Sequence, residues 1–120
     1  MSYLDGFVVP VPKDRKDAYF ALARKMAAKL KPLGALAGHE GWGDGLEQGT
    51  TTSFPRSVQA KDDENVVFAY IVWPDKETRD KAWDALMADP EMQPDMNDMP
   101  FDGKRMFWGG FTPEVSYGED

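Results

Sequence analysis

The chain has 120 residues, 42% of them hydrophobic and 29% charged, with 14 basic against 21 acidic side chains and a net charge of -7. That size and mixture predict one globular domain, not a disordered tail, and the acidic balance repels nucleic acid and anionic membrane surfaces. The absence of cysteine excludes disulfides, thiolate catalysis and cysteine-based zinc or iron–sulfur sites.

Residues 3–11 hold Leu4, Phe7, Val8, Val9 and Val11 around a lone charge, Asp5, and predict a first strand closed by Pro10 and Pro12. The same stretch lacks the basic start and unbroken apolar run of a signal peptide. No apolar run approaches the roughly 20 residues of a membrane helix, so the expected location is the cytoplasm. A helix follows, with Asp14 as its expected N-cap. Tyr19, Leu22, Ala23, Met26, Ala27 and Leu30 form its apolar stripe, and Pro32 with Gly34 ends it. Its basic residues, Arg15, Lys16, Arg24, Lys25, Lys29 and Lys31, read as a solvated flank.

Residues 35–44 return the chain to the sheet as a second, glycine-interrupted strand. Period-two alternation puts Leu36, Gly38, Glu40, Trp42 and Asp44 on one face, and Ala37, His39, Gly41 and Gly43 on the other. The loop over 45–64 is far longer than a hairpin connection, and loops of that length often serve as lids or binding segments. Within it, 54–58 carries anchors that could dock on the body of the protein.

Residues 65–73 are the longest apolar run, rich in β-branched and aromatic residues, and predict a strand covered on both faces. Val66, Phe68, Tyr70 and Val72 occupy one face and Val67, Ala69, Ile71 and Trp73 the other. Asp75 then caps a second helix in which Arg79, Ala82, Trp83, Leu86 and Met87 share a side, ending near Ala88, with a short extra turn expected after Asp89-Pro90. Met87, Met92, Met96 and Met99 read as a core plug. A turn at 101–103 leads into a last strand over 104–112.

The order strand, helix, strand, strand, helix, strand is an α+β, ferredoxin-like βαββαβ arrangement. Both helices then cover one face of a four-stranded antiparallel sheet. The other face is apolar and too large to leave bare on a monomer. The expectation is a homodimer in which two sheets pair face to face as a dimeric α/β barrel.

Gly6-Phe7-Val8-Val9-Pro10-Val11-Pro12-Lys13, Glu40 with Trp42-Gly43-Asp44, Thr52-Ser53-Phe54-Pro55-Arg56, and residues 99–106 with Gly109-Gly110-Phe111 carry a resemblance. Through them the chain resembles the YbaA-like bacterial proteins. The resemblance implies the dimeric α/β-barrel fold and leaves the function open. The chain departs from the family pattern at Gly41, where a cysteine is usual, and at Gly45, where a second aspartate often follows Asp44. The wider barrel superfamily, similar in fold only, includes cofactor-free monooxygenases, haem-binding enzymes, isomerases and stress-response modules, and fold alone does not choose among them.

Glu40 and Asp44, flanking Trp42, are the candidate acid–base pair, since burial beside an indole would raise one carboxyl pKa. Arg56 and Arg105 are the candidate countercharges and, with Trp42, the candidate ligand contacts; the alternative is that one of the two carboxylates only caps a loop or pairs with Arg56 or Arg105. His39 is the single histidine, which argues against histidine-rich metal sites. No phosphate loop, dinucleotide fingerprint or metal-ligand spacing is present, so no cofactor is evident from the sequence. Residues 104–111 resemble the basic–aromatic strand of RNA recognition motifs, but they fall on the fourth strand, not the third, and the net charge opposes RNA. Two readings stay open: a small-molecule enzyme or binding protein with a pocket near the second strand, or a non-catalytic dimeric module for protein interaction or stress response.

Overall fold

The computed structural model describes residues 2–118; Met1, Glu119 and Asp120, the ends of the expected 1–120 domain, lie outside them. Four strands, β1 (Tyr3–Pro12), β2 (Ala37–Trp42), β3 (Glu64–Trp73) and β4 (Phe107–Phe111), form one sheet in the order β2-β3-β1-β4. Every neighbouring pair is antiparallel. The two long helices, α1 (Lys16–Leu30) and α3 (Lys76–Ala88), are accompanied by short helical insertions, α2 (Phe54–Ser57) and α4 (Gln93–Asn97), which the plain ferredoxin-like plan lacks. The result is an α+β fold.

Register sorts the side chains as alternation requires. Val9 lies opposite Val67 and Phe7 opposite Ala69, and these residues meet Tyr19, Phe20 and Ala23 of α1 in one core cluster. Trp73, fully buried, meets Leu30 of α1, Ala82 and Leu86 of α3, and Met92 in a second. Both long helices therefore cover the same face. The molecule is only 21 Å deep along its shortest axis, the depth of one sheet and one helix layer. Pro10 sits within β1 without breaking the sheet, because β4 pairs β1 only from Leu4 to Val8 and the proline has a free edge beside it.

Several boundaries differ from the sequence expectation. Asp14 does not cap α1; it lies inside a 3-10 turn, Lys13–Arg15, and no side chain caps that turn or the helix. The second strand is shorter than 35–44, although Leu36 and Gly43 still donate main-chain hydrogen bonds to Val72 and Val66. The last strand starts late because Asp102 organises a turn, accepting from the Lys104 and Arg105 main chain. Asp75 does cap α3, accepting from Thr78 N–H at 2.7 Å. Of the methionine cluster, Met92 is buried and Met96 half-buried, but Met87 and Met99 face solvent, so only half of it plugs the core.

The sheet face away from the helices is partly covered at one end. The 45–64 loop folds back there, burying Val58 against Val8 and Val66 beside Leu46 and Ala60, with the Phe54 ring edge-on to Phe68 at 5.9 Å. The rest of that face is bare: Phe68 is 49%, Phe107 47% and Phe111 60% exposed.

Candidate functional site

Glu40 and Trp42 project from β2 toward the helices, opposite Ala69 and Val67 of β3. The buried Tyr19 of α1 meets Glu40 there, its hydroxyl donating to Glu40 Oε1 at 2.8 Å. Glu40 as a whole residue is exposed, because β2 is an edge strand. Its carboxyl nevertheless lies among protein atoms against Tyr19, and those surroundings govern its protonation. Burial raises the Glu40 pKa, and the Tyr19 hydrogen bond opposes the rise. Burial, and next the Glu40 charge, push the Tyr19 hydroxyl far above its ordinary range. The phenol therefore keeps its proton and donates the hydrogen bond, and the carboxyl is the member of the pair that can gain or lose one. Trp42 packs edge-on to Phe20 at 5.9 Å, and the Lys16 ammonium lies 5.1 Å from its ring centre.

The other expected site residues are elsewhere. Asp44 lies past the end of β2, exposed and without an ion-pair partner among the described residues. Arg56 and Arg105 are not paired with Glu40 or Asp44; both hold the 45–64 loop. Arg56 Nε donates to the Gln48 carbonyl at 2.7 Å, while Ser53 caps the same short helix from the other side. Arg105 forks onto Glu64 at 2.7 and 2.6 Å, onto Asp102 at 2.8 Å, and onto the carbonyls of Gln59 and Val58. These bonds hold Glu64 below the usual carboxylate range. Gln59, at φ 50, is the only non-glycine residue with positive φ among those described, and Arg105 grips its carbonyl.

Between the end of β2 and the loop these arginines fix is a cleft of about 400 Å³. Gly43, Gly45 and Leu46 form one wall, Lys61 and Asn65 another, and Lys13 reaches in from the end of β1. A side chain at Gly43 would push its neighbours aside: a Cβ would lie 2.5 Å from both Asn65 Oδ1 and Leu46 Cδ1. Asn65 ties the wall together, donating to the Gly43 carbonyl at 2.9 Å and accepting from Val66 N–H at 2.8 Å. None of Glu40, Trp42, Asp44, Arg56 and Arg105 lines this cleft. A second hollow, about 480 Å³, lies on the bare sheet face among Leu4, Phe68, Tyr70, Val72 and Phe111.

The most heavily bonded carboxylate is one the site expectation passed over. Asp5, fully buried in β1, accepts from Trp73 Nε1 at 2.9 Å, Trp83 Nε1 at 3.0 Å and Arg79 Nε at 2.9 Å. The Arg79 guanidinium is also stacked near the Tyr3 and Trp108 rings, at 5.0 and 6.0 Å. The signal was present: Asp5 is the one charge in an otherwise apolar strand, and such a charge needs partners.

The family of proteins of unknown function DUF1428 matches residues 2–103. The Escherichia coli K12 protein named "Uncharacterized protein YbaA" is 49% identical over 111 residues, 92% of this chain and 95% of that protein; a Shigella flexneri protein of the same name matches equally. Among solved structures, the de novo designed protein Foldit4 is similar at TM-score 0.52 and 11% identity, over 95% of this chain and 100% of that one. A point mutant of SnoaB, a cofactor-independent oxygenase from Streptomyces nogalater, is similar at TM-score 0.50 and 19% identity, over 98% and 96%. At those identities the two structures bear on the fold alone.

Proposed function

We propose, from the premise that the chain belongs to the DUF1428 family of proteins of unknown function, that it is a one-domain, homodimeric, cytoplasmic protein that binds a small molecule in the cleft past β2. The cleft carries this reading. Its volume falls within the range of ligand pockets, and two arginines hold the loop that walls it. The dimer is supported by the bare aromatic face, since soluble monomers rarely expose so large an apolar patch.

Glu40, held by the Tyr19 hydroxyl, is the proposed acid–base group if the bound molecule is also transformed, with Trp42 beside it. Arg56 and Arg105 act on the ligand indirectly, by holding the loop. One observation favours the second reading, a non-catalytic interaction module: Glu40 and Tyr19 lie on the helix side of β2 and do not line the cleft. Native mass spectrometry of freshly purified protein tests the proposal. The expected species is two chains carrying a small-molecule adduct. A bare chain of 13.5 kDa overturns both the dimer and the retained ligand.

A further inference from the structure

We infer that residues 112–118, the chain after β4, form an arm that docks on the bare sheet face of a second copy, an inference that rests on the homodimer proposed above. The arm starts at Pro113, which restricts Thr112 to extended backbone and so carries the chain on past the end of β4. Pro113, Val115 and Tyr117 then border the hollow on the bare face, whose sheet side is Leu4, Phe68, Tyr70 and Val72. The arm does not fill that hollow, which measures about 480 Å³. Val115 stays 81% and Tyr117 93% exposed. Two large apolar side chains beside an apolar hollow therefore make almost no contact within their own chain.

Area decides what the arm is for. A ring residue can bury roughly 200 Å², so the exposed parts of Phe54, Phe68, Phe107 and Phe111 offer about 400 Å² of apolar surface on that face. A stable pair buries roughly 800 Å² per partner, so these rings alone reach about half of it. Tyr117 adds about 190 Å² on the same scale. With Val115 the arm supplies most of what the rings lack. A two-fold pairing uses each such surface twice: with the hollows facing, the arm of one chain lies over the sheet of the other, and neither arm is left bare. Each hollow is then closed by side chains of the partner, and tyrosine is among the residues most often found as interface anchors.

Two measurements on the full chain test the arm. The protein has no cysteine, so a nitroxide attached to Ser116→Cys, at an exposed position, labels the arm alone. Nitroxide-labelled chain is mixed with isotope-labelled chain that carries no nitroxide, so that broadened amide signals report contact between chains only. The expected broadening is strongest at Phe68, Tyr70 and Phe111 of the partner subunit. By sedimentation equilibrium, the double variant Val115→Ser with Tyr117→Ser should raise the dimer dissociation constant at least about tenfold, the scale of losing one interface anchor. Both positions are exposed, so its amide spectrum should stay that of the folded chain. Absence of broadening in the partner subunit, or a dissociation constant that the double variant leaves unchanged, overturns the arm and leaves the homodimer standing. A wild-type chain that sediments singly overturns the homodimer and the arm with it.

Discussion

Asp5 shows how much one residue can hold. Its carboxylate receives two indole N–H groups and a guanidinium inside the core, so removing it strands three donors at once. Breaking a buried pair from one side costs about 3–5 kcal/mol, and urea unfolding of Asp5→Ala should show a loss of that order. A loss under about 1 kcal/mol would mean water replaces the carboxylate. Two glutamates offer the opposite signs of one experiment. Glu40 has a folded pKa raised by burial, so its ionisation works against folding, and Glu40→Gln should stabilise the protein at neutral pH. That gain should vanish as pH falls through the ordinary glutamate range, about 4.3, where the carboxyl is protonated folded or unfolded. Glu64 has a folded pKa lowered by Arg105. Its contribution is present above that same range and lost as pH falls through the folded value. Glu64→Gln should therefore cost about 1.5–3 kcal/mol at neutral pH, the range for hydrogen bonds to charged groups, with the difference closing in acid. Paired denaturation curves at pH 7 and pH 3 decide both, and like-signed effects at pH 7 would refute the assignment.

At the scale of elements, strands and long helices are legible because apolar periodicity dictates them: β3, expected at 65–73, runs Glu64–Trp73, and α3 starts at the Asp75 cap. Alternation also puts Glu40 and Trp42 on one face and His39 on the other, where it stacks with Tyr70 at 5.3 Å. The roles of the arginines are not legible. Composition shows that Arg56 and Arg105 are cations near a loop, but which carbonyls they reach depends on how 45–64 folds back, and no periodicity encodes that. Sequence places Asp102 only in a turn, yet its bonds to Lys104 and Arg105 delay β4. The clamp makes its own prediction. Arg105→Met should leave the sheet intact but speed hydrogen exchange at residues 58–60, since the Gln59 backbone at positive φ loses the group that grips it. Unchanged protection there would mean that Val58 packing alone fixes the loop.

For the whole molecule, the two faces of one sheet have different fates. Helices cover the face of Val67, Ala69 and Trp73, while Phe68, Phe107 and Phe111 remain exposed on the other. Ile71 and Val72 separate them: Ile71 packs into the helix-side core and Val72 borders the bare hollow. Phe111→Asp should give a folded monomer by light scattering, and Ile71→Asp a destabilised chain. A stable pair needs roughly 800 Å² buried per partner. The most direct measurement is a crystal structure of the protein soaked with a fragment library. The expected result is two chains packed through Phe68 and Phe111, with fragments seated between Gly43 and Asn65. Bare sheet faces in the lattice, with fragments bound only away from that cleft, would contradict it.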